Sequence, residues 1–256
     1  MRVIMIGDVV GQNGCAFIRE RMPALRREYA PDLIVANGEN SAEGNGILPS
    51  SADHLLDSGV DIVTLGNHAL RRREIYPVLE ESGQIIRPAN FHPEAPGQGM
   101  CWYDKPGCPR VAVLNLTGTC YMESYENPFD CADRLLAKAD APIVLVDFHA
   151  EATSEKLSMG FYLDGRASAV VGTHTHVQTA DERILPGGTG YITDLGMCGS
   201  FNSVLGVKPE LALRRFRTSL PTRFETDKGF CRLSGVCLEI DNKSGKTAKI
   251  FRINIE

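Results

Sequence analysis

The sequence predicts an α/β protein, a sandwich of mostly parallel, mixed β-sheets flanked by helices. Short apolar runs, typical of strands buried on both faces, alternate with longer segments of helical periodicity. Several of these runs also end in a carboxylate, amide or imidazole side chain. Because parallel strands end at one edge of their sheet, these polar groups are expected to gather along that edge.

Short apolar runs, often rich in β-branched residues, mark the predicted strands. In chain order they are 2–6, 33–36, 61–65, 85–86, 111–116, 142–148, 167–171, 190–194 and two β segments within 229–255. The two terminal segments are joined at 242–245, where Asn-Lys-Ser-Gly suits a hairpin turn. The alternation with helices favours parallel pairing for most of the others.

Apolar residues at helical spacing mark the segments between the strands. In 13–29, Phe17, Met22 and Leu25 give a partial apolar face with charged residues opposite. Pro49 suits the first turn of the next helix, and Gly59 ends it. The predicted helices are 13–29, 49–58, 74–81, 129–139, 154–163 and 209–216.

Length and composition favour a single domain over 1–256, with a Pro/Gly-rich excursion around 91–110 that is expected to be a loop. The chain has 256 residues, 43% of them hydrophobic, which is enough for a large core. Its net charge of −5 argues against binding of duplex nucleic acid. Neither a membrane span of ~20 apolar residues nor a signal-peptide pattern is present, so we expect a cytoplasmic protein without a membrane partner.

Two histidines one residue apart, His174 and His176, follow the predicted strand 167–171. On an extended segment alternate side chains share a face, so both imidazoles would point the same way. Same-face neighbours on a strand lie roughly 7 Å apart, which favours one histidine on each of two adjacent metal ions. Two polar residues in an exposed turn remain the simpler alternative for this pair taken alone.

Other metal-capable side chains follow predicted strands in the same way. With the histidine pair, the set is Asp8, Glu39, Asn67, His149, His174 and His176. Each alone has an ordinary structural role, such as a helix cap or a buried histidine bonded to the backbone. Together, at one sheet edge, they indicate a site for two metal ions. Oxygen and imidazole ligands favour iron, manganese or zinc, and the eight cysteines, without a C-x-x-C pair, are expected to be reduced thiols.

These motifs resemble those of calcineurin-like metallophosphoesterases in order and spacing. They are Gly7-Asp8, Gly38-Glu39-Asn40, Gly66-Asn67-His68, the isolated His149 and Gly172-Thr173-His174-Thr175-His176. The chain is most similar, over nearly its full length, to the bacterial YmdB-like group that hydrolyses 2′,3′-cyclic nucleotides. The resemblance implies a calcineurin-like fold, a small phosphoester substrate and a homo-oligomer.

The resemblance also implies a role for each motif residue. Asp8, Glu39, Asn40 and His176 would hold one metal ion, and Asn67, His149 and His174 the other, with Glu39 bridging. The ions would be iron, or else manganese or zinc. A metal-activated hydroxide would attack the phosphorus of a substrate such as 2′,3′-cAMP, and His68 would donate a proton to the leaving oxygen, giving a nucleoside monophosphate.

Two positions depart from the pattern of the relatives. Val10 stands where the wider superfamily has a histidine, and Asn40 looks like the replacement ligand. Residues 69–73, Ala-Leu-Arg-Arg-Arg, follow His68 where relatives carry an aromatic and an acidic residue. Two other functions therefore stay open: a phosphomonoesterase or nucleotidase on the same metal centre, and a metal-holding regulatory protein with little turnover.

Overall fold

Two β-sheets lie face to face at the centre of the protein in its computed structural model, which describes residues 1–123 and 126–256. The strands are β1 Arg2–Val10, β2 Leu33–Asn40, β3 Ile62–Thr64, β4 Ile85–Ile86, β5 Met100–Tyr103, β6 Val111–Thr117, β7 Ile143–His149, β8 Ala169–Thr173, β9 Arg183–Ile184, β10 Gly190–Ile192, β11 Met197–Ser200, β12 Cys231–Ile240 and β13 Thr247–Ile255. The helices are α1 Gly11–Tyr29, α2 Pro49–Asp57, α3 Tyr76–Glu81, α4 Pro128–Leu136, α5 Thr153–Tyr162 and α6 Pro209–Thr218, and a 3₁₀ turn spans Arg73–Ile75.

Both sheets are mixed and mostly parallel, as the sequence predicts. The first has the order β13-β12-β11-β1-β2-β3-β4. Strands β11, β1, β2, β3 and β4 are parallel to one another, and β12 is antiparallel to β1, β11 and β13. The second sheet has the order β5-β6-β7-β8-β10-β9, with antiparallel strands only at its two edges.

Three apolar clusters separate the layers. Between the sheets, side chains such as Val35 face others such as Leu145. On the outer face of the first sheet, α1 buries Phe17, Met22 and Leu25, the apolar face read from the sequence. On the outer face of the second sheet, α4 and α5 cover a third cluster. Burying each large apolar side chain contributes about 1.5–3 kcal/mol, so the clusters fix the sheets that carry the polar strand ends.

The structure corrects the sequence prediction at several strands. β1 and β2 extend to Val10 and Asn40, so Asp8 and Glu39 lie within strands rather than after them. The prediction of a loop over 91–110 was wrong in part, because Met100–Tyr103 forms β5 and pairs with β6. The sequence pattern does not reveal this four-residue strand, because glycines and prolines surround it. The sequence analysis also did not predict the short strands β9 and β11, which pair with β10 and β1.

All eight cysteines are free and six are buried. Within the described part of the chain, no helix combines the length and apolar character that crossing a membrane requires.

Candidate metal centre

Asp8, Glu39 and His149, here called the floor, have no exposed surface. β1 and β2 carry Asp8 and Glu39 to the edge of the first sheet, and His149 is the last residue of β7 in the second. The register of β1 against β2 shifts on both sides of Asp8, an irregularity of the kind that re-aims side chains beside active sites. His149 Nε2 lies 3.0 Å from Glu39 Oε1, so the two sheets meet at this pair.

The remaining predicted residues surround the floor and are here called the rim. They are Asn40, Asn67, His68, His174 and His176. At one end, Asn67 Oδ1 and His174 Nδ1 each lie 3.0 Å from His149 Nε2. At the other end, His176 Nε2 lies 3.7 Å from Asp8 Oδ1. The structure therefore brings all the predicted side chains to one place, with His174 and His176 toward opposite ends of it.

The turn that carries the two histidines differs from the predicted extended segment. β8 ends at Thr173, and the backbone takes φ values of 103° at His174 and 64° at His176. The prediction of alternation along a strand was wrong here, because the chain leaves the sheet before the first histidine. Residues other than glycine in this left-handed region cost of order 1–3 kcal/mol each, so surrounding contacts must hold the turn.

A buried ion pair holds this turn. Lys156 Nζ on α5 donates to Asp194 Oδ2 over 2.7 Å, and each side chain is 1% exposed. The same carboxylate oxygen accepts hydrogen bonds from the Thr175 backbone N–H at 3.0 Å and the Thr175 hydroxyl at 2.8 Å. At Gly172 a Cβ atom would lie 1.8 Å from the carbonyl oxygen of Thr193, so only glycine fits just before the turn. The strain at the histidines is thus offset by contacts from distant segments.

Hydrogen bonds assign the ring nitrogens of two histidines. The Thr173 hydroxyl donates to Asp147 Oδ1 over 2.7 Å, so its oxygen accepts from His149 Nδ1 at 2.9 Å. His176 Nδ1 lies 3.2 Å from the carbonyl oxygen of Leu205, which can only accept. Both Nδ1 atoms therefore carry hydrogen, which makes both Nε2 atoms the candidate ligand atoms, the usual arrangement around metal-bound histidines.

Glu151 is a site residue that the sequence prediction lacks. Its Oε2 lies 3.0 Å from His174 Nε2, while His174 Nδ1 faces His149. The carboxylate thus accepts from Nε2 and leaves Nδ1 as the candidate ligand atom of His174. Its position two residues beyond the strand-end His149 is the only sequence signal for it. The sequence prediction also lacks Thr173 and Asp147. Thr173 contacts the ring of His149 and Asp147 contacts Thr173, so neither is itself a candidate metal ligand.

The buried charges of the floor shift one another's pKa values. Burial raises the pKa of Glu39, but the charge of His149 and hydrogen bonds from His149 and His68 outweigh burial and hold that pKa well below its usual range. Burial lowers the pKa of His149, yet the carboxylate of Glu39 outweighs it and raises that pKa to about 9. Burial also raises the pKa of Asp8, but the hydrogen bond and charge of His176 bring it below the usual value. A proton on His149 thus offsets part of the negative charge of Asp8 and Glu39.

The donor set fits divalent transition metal ions. The ligand atoms of Glu39, His149 and His174 all lie within 4.8 Å of one another. One Nε2–H of His149 cannot donate at once to Glu39, Asn67 and His174, all 3.0 Å away, whereas a cation can be shared among such atoms. At Gly66 a Cβ atom would lie 2.4 Å from Glu39 Oε2, so a side chain there would enter the cluster. Mixed oxygen and imidazole ligands suit iron, manganese and zinc.

His68 is positioned by Glu39 and Asn40 rather than by the residues that follow it. Its backbone N–H donates to Glu39 Oε2 over 2.8 Å, and its Nδ1 lies 3.1 Å from Asn40 Oδ1. Asn40 Nδ2 faces Asp8 Oδ1 at 3.3 Å, so ligation through its oxygen would require the amide to turn by half a rotation. Arg72, from the unusual segment after His68, donates to the carbonyl oxygens of residues 43 and 45 and holds that loop instead.

Comparisons with known proteins identify the family of this chain. A family model described as "YmdB-like protein" matches residues 4–253. The chain belongs to the YmdB-like family. It is 47% identical over its full length, and over 97% of the relative, to the 2′,3′-cyclic-nucleotide 2′-phosphodiesterase of Bacillus subtilis. It is 35% identical, over all of the chain and 93% of the relative, to a putative phosphatase/phosphodiesterase of Mycoplasma pneumoniae. The predicted membership of this metallophosphoesterase family is confirmed.

Solved structures show the fold. A hypothetical protein of Thermus thermophilus superposes with a TM-score of 0.94 at 41% identity, covering all of this chain and 99% of that one. A Mycoplasma pneumoniae phosphatase gives a TM-score of 0.94 at 35% identity, covering all of this chain and 93% of that one. The sulfate thiohydrolase SoxB gives 0.54 at 13% identity, over 98% of this chain and 43% of SoxB, which bears on the fold alone. The predicted calcineurin-like fold is confirmed.

Proposed function

We propose that this protein is a dinuclear metal-dependent phosphodiesterase that hydrolyses 2′,3′-cyclic nucleotides to nucleoside 3′-monophosphates. One observation carries the proposal: the fully buried His149 has Glu39 Oε1, Asn67 Oδ1 and His174 Nδ1 all at 3.0 Å from its Nε2. The name of the Bacillus subtilis relative supplies the substrate class and the 2′ position of cleavage.

The metal ligands are proposed in two sets. Asp8, Glu39, Asn40 and His176 would hold one ion, and Asn67, His149 and His174 the other, with Glu39 serving both. Iron is the preferred ion, with manganese and zinc as alternatives for this donor set. When bound, two such ions lower the pKa of water and neutralise charge on the phosphate oxygens.

The protein's own residues would orient the substrate and supply a proton. His68 is 23% exposed and borders both the floor and solvent. Asn40 holds its Nδ1, which leaves Nε2 to donate a proton to the leaving oxygen. A water molecule would add to phosphorus as hydroxide and release its other proton to solvent. The bond from phosphorus to O2′ would break, and O2′ would take the proton from His68, which solvent then restores, so the ring opens to a 3′-monophosphate.

A substrate comparison tests this function. The purified protein, loaded in turn with Fe(II), Mn(II) and Zn(II), is assayed on 2′,3′-cAMP, 3′-AMP, bis(p-nitrophenyl) phosphate and p-nitrophenyl phosphate. We expect 2′,3′-cAMP to have the highest kcat/KM and 3′-AMP to accumulate. Faster hydrolysis of 3′-AMP and p-nitrophenyl phosphate would instead identify a phosphomonoesterase. Tight metal binding without turnover of any ester would identify a regulatory protein.

Homo-oligomerisation, which the family resemblance implies, is part of the proposal. It is supported by apolar side chains that α6 and the segment after it leave exposed, among them Leu213, Phe216 and Leu220. Light scattering after size-exclusion chromatography should give a mass above that of one 28.0 kDa chain. Phe216→Glu should lower that mass if this surface is the interface.

A further inference from the structure

A cleft of about 350 Å³ opens directly beside the metal centre. His176 forms part of its wall, together with Phe201, Leu205, Arg232, Ser234 and Asn254. Its volume lies within the range of small-molecule sites, roughly 300–1,000 Å³. Because His176 borders both the cleft and Asp8, a ligand whose phosphate lies on the metal centre can extend into the cleft.

Phe201 and Arg232 both line this cleft. The Arg232 guanidinium carbon lies 3.5 Å from the centroid of the Phe201 ring, so the two groups are stacked. The ion pair with Glu256 holds Arg232 in place, and its Nε is buried without a hydrogen-bond partner among the described residues. Phe201 is nevertheless 46% exposed. An exposed aromatic ring that a guanidinium holds in place is suited to stacking with a planar group.

Amide groups held by hydrogen bonds also line the cleft. Asn254 Nδ2 donates to Gln178 Oε1 over 2.7 Å, and the Ser234 hydroxyl donates to Asn254 Oδ1 over 3.1 Å. Gln178 Nε2 in turn donates to the carbonyl oxygen of Gly235 over 2.8 Å. These bonds fix which way the Asn254 amide points, and the exposed amide retains a further N–H and a lone pair. Such groups can bond the polar edge of a base.

The cleft and the metal centre share one structural connection. Leu205 lines the cleft, takes a φ of 54° and uses its carbonyl oxygen to hold His176 Nδ1 at 3.2 Å. The segment that shapes the cleft therefore also sets the direction of His176 Nε2. A molecule seated in the cleft would touch the same segment that orients a candidate metal ligand.

We propose that this cleft binds the base of the nucleotide, with the base stacked on Phe201 and its polar edge facing Asn254. The proposal rests on the proposed function, which puts the phosphate at the metal centre. Bases bind to proteins by stacking on aromatic rings and on arginine guanidinium groups, with hydrogen bonds to their edges. Because every base has a flat face, stacking on Phe201 favours acceptance of all four bases.

A second cleft, of about 680 Å³, lies on another side and is lined by Ser41, Glu43 and Arg72, among others. No phenylalanine, tyrosine or tryptophan lines it among the described residues. Arg72 there already donates to the carbonyl oxygens of Glu43 and Asn45. It offers a base no comparable stacking surface, and serves as the rival location in the test.

The test measures binding of 3′-AMP and of inorganic phosphate to the Mn(II)-loaded protein by calorimetry. Phe201→Ala should weaken 3′-AMP binding about tenfold, because the base loses the ring on which it stacks, and Phe201→Tyr should restore it. Binding of inorganic phosphate should not change. Phe161→Ala is the matched control, because Phe161 is also exposed and also has an arginine, Arg183, over its ring at 5.8 Å.

Several outcomes would overturn the proposal. Equal binding of 3′-AMP by the wild type and Phe201→Ala would do so, as would an equal loss of phosphate binding, which would mean a disturbed metal centre. Loss of 3′-AMP binding in Arg72→Met, with Phe201→Ala unaffected, would place the base in the second cleft. If the wild type hydrolyses no cyclic nucleotide but the expected binding differences appear, the cleft stands and the proposed function fails.

Discussion

The floor and the rim of the metal centre are built in different ways. Asp8, Glu39 and His149 lie on strands and are fully buried, whereas His174 and His176 lie in a turn at positive φ. Hydrogen bonds along the sheets position the floor. The turn depends on side chains and carbonyl groups from elsewhere in the chain.

This difference separates two properties of the site. The floor supplies concentrated negative charge and fixed ligand atoms, whose positions change only if the sheets change. The rim supplies the groups that border solvent, and its positions can be altered by single substitutions outside the sheets. Substitutions on the two parts should therefore affect metal content, turnover and stability separately.

The largest effect is expected for a rim residue that is not needed for metal binding. His68→Ala should lower kcat on 2′,3′-cAMP by about 10²–10⁴, the usual contribution of a positioned proton donor. Metal content, measured by emission spectrometry, should stay at the wild-type value. His92→Ala, at an exposed histidine, is the control and should leave kcat unchanged. Undiminished turnover in His68→Ala would remove this residue from the mechanism.

The protein should lose stability when the ion pair that holds the His174–His176 turn is broken. Lys156→Met leaves Asp194 buried without its cation, and breaking a buried ion pair in this way costs about 3–5 kcal/mol. Urea unfolding of the metal-free protein measures the loss. Lys208→Met removes a cation from an exposed pair with Glu225 and should change stability little. A similar, small change in both variants would contradict the role given to Lys156.

A smaller effect is expected at Glu151. Glu151→Gln keeps the size of the side chain but removes the charge that faces His174 Nε2, and loss of such a partner typically lowers metal affinity 10–100-fold. Competition with a fluorescent chelator should show this weakening for one of two bound ions only. The matched control is Glu155→Gln. The Glu155 carboxylate accepts hydrogen bonds from the backbone N–H groups of residues 119 and 120 instead. Weakening of both ions, or of neither, would argue against a specific link to His174.

The smallest expected effect is the release of a proton when a metal ion binds to the floor. Because the pKa of His149 is raised to about 9 in the metal-free protein, this ring is protonated at pH 7.5, and metal binding at Nε2 must displace its proton. Metal affinity should therefore fall as pH drops below about 9. Calorimetry in two buffers of different ionisation enthalpy should reveal release of about one proton or more per protein. Identical heats in both buffers would exclude this protonation.

Much of the floor could be predicted from the sequence. Buried runs such as residues 33–36 and 142–148 identify strands, and parallel strands bring their ends to one edge. Glu39 and His149 could thus be placed near each other, although they are far apart in the chain. The roles of the individual ligands came from the family resemblance and stay predictions.

The rim could be predicted in identity but not in geometry. His174 and His176 were visible as a pair, yet the extended geometry expected for them was wrong, because Asp194 and Leu205 hold the turn from outside it. A pattern of alternating residues carries no information about such contacts.

By itself, the sequence determined the fold class and the chemistry of the ligands, because strand patterns are local and donor atoms are properties of residue types. Only the tertiary structure decided which nitrogen of each histidine is free, that Glu151 faces His174, and that a cleft with Phe201 opens beside His176. These features join segments that are distant in sequence. They are fixed by sheet order and packing, and the spacing of residues along the chain carries no information about either.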